Sequence, residues 1–162
     1  MILFYILMIL SFVTLSMNGI QWIFRFDIYN ANYISFSFVS TLLYMFTQTL
    51  IMFYFIGAGK KIKETIIYYD LDKETYQEVI ALKRILFNPL CLNMLFVGTT
   101  FILGGGVHTG SVSKNWHLGL FLVSIIHYLK LLFIQHSSFV ENAKILSKVG
   151  KELELSAKNK ES

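Results

Sequence analysis

FSFVSTLLYMFTQTLIMFYFIGA, residues 36–58, contains no Asp, Glu, Lys or Arg and is long enough to cross a bilayer as a helix. Its polar residues are not scattered. Ser37, Ser40, Thr41, Tyr44 and Gln48 recur at steps of three or four, which places them on one helical face. The remaining faces are mostly Phe, Leu, Ile, Met and Val. A helix that is greasy over most of its surface, with one polar stripe, suits a bundle in lipid better than a core in water.

Three further runs of this kind complete the pattern: about 1–20, 89–107 and 116–135. The 162-residue chain is 55% hydrophobic and only 15% charged. Its mean hydropathy is +0.58. A water-soluble domain of this size has too much surface to hide so many Phe, Ile, Leu and Tyr side chains, so lipid must supply the missing apolar contact. The fold class expected is all-α integral membrane: a four-transmembrane-helix bundle forming one membrane domain. The first run lacks a basic leading segment and an A-x-A-like cleavage site, and is expected to be a retained span.

Lysine and arginine set the direction. The 59–88 loop holds Lys60, Lys61, Lys63, Lys73, Lys83 and Arg84, and the 136–162 tail holds Lys144, Lys148, Lys151, Lys158 and Lys160. The other two connections hold only Arg25 and Lys114. The positive-inside rule makes the loop, the tail and both termini cytoplasmic, in the cell's inner or plasma membrane. Trp22, Tyr29, Tyr33 and Trp116 then mark the outer interface, and Tyr54, Tyr68 and Tyr69 the inner one. The net charge of +4 lies in these connections and points to anionic headgroups, not to nucleic acid.

The loop should itself be partly helical. Span two continues through Lys60–Glu64. Asp72 is a candidate N-cap with Glu74 in the first turn, opening a short amphipathic helix on the headgroups that carries Tyr76, Val79, Ile80 and Lys83. Asn88-Pro89 reads as a second start signal, with Pro89 at the first helical position of span three. After Gln135 the tail is helix-like through Glu154 and then polar and frayed.

In hydrocarbon a polar side chain must find a partner, so each stripe should turn inward. Span one offers Ser11, Thr14, Asn18, Gln21 and Arg25. Span three offers Cys91, Gly98 and Gly105, a smooth face that lets another helix come close. Cys91 has no His near it in sequence and is expected to be a small buried residue. Span four offers His117, Ser124 and His127. His127 lies about 16 Å into its span and Gln48 about 19 Å into span two, so these two can hydrogen-bond near mid-membrane. Asn93 and Lys130 complete an expected intramembrane polar cluster of Gln48, Asn93, His127 and Lys130. Lys130 on the bland reading snorkels to the cytoplasmic headgroups.

A second cluster is expected at the outer face. Gly104-Gly105-Gly106 precedes His108, and a short loop leads to Trp116-His117. Three glycines ending a helix are costly unless the backbone bends or something comes close. Asn18, Gln21, Arg25 and Asp27 share that side. His108, His117 and His127 are the candidate cofactor-binding residues: His108 with His117 for a metal or haem b, His127 for a second site or for structure. Two histidines without Cys or carboxylate are a weak metal set, and the plain alternative is a pair of interfacial side chains.

No residues assemble a catalytic set. There is no phosphate-binding loop, no HExxH, no acidic residue inside the four apolar cores and no paired broken helices of the transporter kind. The leading expectation is a non-catalytic subunit or accessory protein of a membrane complex, partnered by another membrane protein or by copies of itself. The runner-up is a haem- or quinone-binding redox protein. A small-solute transporter or channel comes third.

Overall fold

In a computed structural model, residues 1–24 and 32–161 are described, with side chains to residue 156. Arg25, Asp27 and Tyr29 lie outside the described residues, as do the side chains of Lys158 and Lys160. The described chain is all helical: α1 (Ile2–Phe24), α2 (Tyr33–Tyr69), α3 (Glu74–His108) and α4 (Lys114–Glu161). All four are long and apolar enough to cross a membrane. At 1.5 Å per residue α1 is about 35 Å long, close to one bilayer core, whereas α2, α3 and α4 run about 50–70 Å and exceed it.

The ends follow from local chemistry. Asn32 caps α2, its Oδ1 accepting from Ser35 N–H at 3.0 Å. Asp72 caps α3 as the sequence suggests, accepting from Glu74 N–H at 2.9 Å. Between them α2 ends in a Schellman turn. Asp70 takes a left-handed φ of 50°, and Leu71 N–H donates back to Ile66 C=O at 3.0 Å. Leu71 and Ile66 are both buried, the apolar contact that accompanies this motif. Gly110 does the same for α3, at φ 75°, with Ser111 N–H donating to Gly106 C=O at 2.8 Å.

The separate amphipathic helix and the break at Asn88-Pro89 are not there. α3 is one helix with Pro89 inside it. Proline removes an N–H and crowds the carbonyl one turn back, at a cost of about 3 kcal/mol or more. Leu82, Leu86, Leu90, Asn93 and Val97 make one unbroken buried stripe on either side of it. Leu82 and Leu86, outside the apolar run, each contribute about 1.5–3 kcal/mol on burial, and Asn93 beyond Pro89 reaches its partners only if the stripe stays in register, so continuity outweighs the lost bond. α4 likewise continues past Glu154 to Glu161.

The chain divides into two compact units, Met1–Leu50 with Pro89–Leu132, and Ile51–Asn88 with Phe133–Ser162. The first combines all of α1 with parts of α2, α3 and α4. Its interior is rich in polar groups: Ser11, Asn18, Ser37, Thr47, Gln48, Asn93, Thr100, His117 and Ser124 are all buried. Its outside is greasy, with Phe24 72%, Ile102 70% and Ile126 67% exposed. That is the reverse of a water-soluble protein and is compatible with a small membrane protein.

The second unit has the opposite order. Phe55, Ile62, Ile66, Val79, Leu86, Phe139, Ile145 and Val149 are inside. Lys60, Lys61, Lys144 and Lys148 are outside. Lys148 Nζ meets Glu78 Oε1 at 2.8 Å, and Lys63 Nζ lies 5.7 Å from the Tyr76 ring centre. Large apolar side chains are exposed at Phe53, Ile56 and Phe133, within the apolar runs, and also at Ile67, Tyr68, Ile85 and Leu155 outside them.

Candidate functional site

Within the first unit the polar stripes meet as a connected set. Ser11 and Thr47 hydroxyls lie 3.0 Å apart. The Tyr44 hydroxyl donates to Asn93 Oδ1, and Asn93 Nδ2 donates to Ser124 C=O at 3.0 Å. The Thr100 and Ser124 hydroxyls approach to 3.0 Å. The Tyr128 hydroxyl donates to Met8 C=O at 3.2 Å, and Ser11 and Gln48 also lie within hydrogen-bonding reach of it. The Tyr44 and Tyr128 rings cross edge to face at 5.0 Å, and neither is exposed. This hub ties all four helices together through groups that hydrocarbon cannot solvate.

Of the expected mid-membrane cluster, Gln48 and Asn93 are in the hub and fully buried. His127 and Lys130 are elsewhere. His127 is half-buried and meets Phe96 edge to face at 5.6 Å, and Lys130 is exposed. The residue that faces Gln48 is Tyr128, one position on. The signal was in the sequence: His117, Ser124, Tyr128 and Leu131 keep one face at steps of seven, four and three, and His127 falls off it by one residue.

Span three is also turned. Cys91 and Gly105 are exposed, so the smooth face points away from the unit's interior and Cys91 is not the buried residue expected. Asn93, Val97, Thr100 and Gly104 point inward instead. Asn93 and Thr100 need partners that lipid lacks, and that need outranks the packing advantage of a glycine stripe.

The second cluster forms around His117, which is buried. Its Nε2 lies 3.2 Å from the Tyr33 hydroxyl, and its ring lies 5.1 Å from Trp22. Two of the three glycines serve close approach, within an α3 that runs on to His108. A methyl on Gly104 would sit 3.1 Å from Tyr33 Oη and 3.2 Å from His117 Nε2. One on Gly106 would sit 2.7 Å from Val112 Cγ2, whereas Gly105 has open space. Asn18 joins from α1, donating from Nδ2 to Ser37 Oγ at 3.0 Å. A cavity of about 20 Å³ lies among Asn18, Trp22, Tyr33, Ser37 and His117, walled by Leu15 and Phe121. Sequence reading missed Tyr33 here and placed it only as an interface marker.

No protein family, no curated protein and no solved structure matches this chain. His108 is exposed near the end of α3, while His117 is held inside by Tyr33 and Trp22. Among the described residues no three His, Cys, Asp or Glu side chains group to hold a metal ion. The arrangement gives haem no support. His117 Nε2 is engaged by Tyr33, and His108, its expected partner, is exposed.

Proposed function

We propose that the chain is a non-catalytic subunit or accessory protein of a membrane complex, built around a polar core whose helices hydrogen-bond to one another. It sits as a multi-pass protein in the cell's inner or plasma membrane. Both termini and the lysine-rich 59–88 segment lie in the cytoplasm, in keeping with the distribution of Lys and Arg.

One observation carries the reading. In the first unit the buried polar groups of the hub bond one another, and the side chains left for outside contact are large and apolar. Such a surface meets lipid, another membrane helix or a copy of itself. The exposed Cys91 and Gly105 offer a neighbouring helix close approach along α3, whereas Gly98 between them lies against Met45 of α2.

The test is extraction into native lipid nanodiscs with an affinity tag, followed by native mass spectrometry and an absorption spectrum. The expected result is a fixed stoichiometry with a second membrane protein or with further copies of the chain. A monodisperse monomer carrying its own cofactor, signalled by a Soret or quinone band, would overturn the reading.

A further inference from the structure

Asn18 and His117 are both more than nine-tenths buried, at 8% and 3% exposure. Each also has a polar atom without a hydrogen-bond partner among the described residues: Asn18 Oδ1 and His117 Nδ1. Both residues line the same cavity of about 20 Å³. About 10–15 Å³ of such space is enough to hold one water.

The surrounding bonds can run in one head-to-tail direction. Asn18 Nδ2 donates to Ser37 Oγ. Ser37 keeps its own proton, and the Tyr33 phenol oxygen is within its reach. Tyr33 in turn has its hydroxyl proton for His117 Nε2, at 3.2 Å. A neutral imidazole that accepts at Nε2 carries its proton on Nδ1. His117 Nδ1–H therefore needs an acceptor, and Asn18 Oδ1 needs a donor. A molecule that both accepts and donates, and is no larger than the cavity, is water.

We propose that this cavity is a binding site for one ordered water, which accepts from His117 Nδ1–H and donates to Asn18 Oδ1. It closes a head-to-tail ring through Asn18, Ser37, Tyr33, His117 and the water, in which each group donates to the next and bonds strengthen one another. Buried waters typically make about three bonds, and the Thr41 side chain on the cavity wall offers a third. An ion does not suit the site. Leu15 and Phe121 provide no charge, a cation is repelled by Nδ1–H, and an anion is repelled by Asn18 Oδ1. The ring joins α1, α2 and α4 and holds His117 neutral in one tautomer.

The experiment uses the full chain in lipid nanodiscs, deuterated and labelled with ¹⁵N-histidine, with His117 assigned by its loss in His117→Gln. The expected spectrum has His117 protonated at Nδ1 and bare at Nε2, with a through-space contact from Nδ1–H to a water that exchanges slowly with bulk. Asn18→Leu keeps the heavy-atom count and branching of the side chain, removes Oδ1, adds methyl bulk toward the cavity and should abolish that contact. Tyr33→Phe should move the imidazole proton toward Nε2. A wild-type spectrum with no water at His117, or with its proton on Nε2, overturns the proposal without recourse to the variants. A water contact that survives Asn18→Leu also overturns it.

Discussion

Asn93→Leu is the sharpest probe of the polar hub. Asn93 is fully buried, accepts from the Tyr44 hydroxyl and donates to the Ser124 carbonyl. Leucine keeps the heavy-atom count and branching, so no cavity opens, and a double variant with Tyr44→Phe separates the two bonds from any strain of its bulkier methyls. Side-chain hydrogen bonds between membrane helices contribute about 0.6 kcal/mol on average and up to about 1.7. Two of them place the expected destabilisation at about 1–3 kcal/mol. Tyr44→Phe removes only one bond and should cost about 0.5–1.5 kcal/mol by the same measure. In the double variant the shared bond is counted once, so the combined loss should fall short of the sum by about 0.6–1.7 kcal/mol. Detergent-titrated unfolding in bicelles can follow Trp22, whose ring lies 5.1 Å from His117 and loses that neighbour on unfolding. An Asn93→Leu protein within about 0.3 kcal/mol of wild type, or strict additivity of the pair, would refute the hub as a source of stability.

Gly104→Ala should weaken the Tyr33–His117 contact and lower stability, since its methyl would press on both side chains, whereas Gly105→Ala should be neutral or stabilising by up to about 1 kcal/mol. The same unfolding titration compares them. Asp70→Gly should stabilise by up to about 1 kcal/mol: it relieves a left-handed residue costing about 1–2 kcal/mol, offset in part by glycine's greater chain entropy. Two lysines should give opposite pH dependence. The Glu78 bond holds Lys148 above its ordinary 10.5, so its contribution is present at neutral pH and lost as pH rises through that raised value. Burial holds Lys83 below 10.5, so its cost is present at neutral pH and fades as pH rises through the lowered value. Lys148→Gln should therefore lower, and Lys83→Met raise, the thermal midpoint at pH 7, and both differences should shrink in strongly alkaline buffer.

The four apolar runs were legible because a bilayer demands long uncharged stretches, and nothing else in the composition could explain them. The polar stripes of α1 and α2 were legible for a similar reason: Ser11, Asn18, Ser37 and Gln48 recur at helical steps, and all turn inward. Span three was not: the smallness of Cys91, Gly98 and Gly105 points to one face, while the need of Asn93 and Thr100 for partners decides the rotation. His127 drew attention as a titratable group in the middle of a span, yet Tyr128 beside it continues the stripe. The continuity of α3 through Pro89 was hidden for another reason. A local break signal is weighed in the fold against a buried stripe of leucines on both sides, which only tertiary packing reveals.

Compartment-specific labelling of single cysteines tests the central claim most directly. In a Cys91→Ala background, cysteines placed at Lys73, Ser113 and Lys151 are exposed to a membrane-impermeant maleimide in intact and in opened cells. Four crossings of a lipid-solvated bundle require Ser113→Cys to label in intact cells, and Lys73→Cys and Lys151→Cys only after opening. Labelling of Lys73→Cys and Lys151→Cys from opposite sides, or release of the protein from membranes by alkaline carbonate, would contradict it.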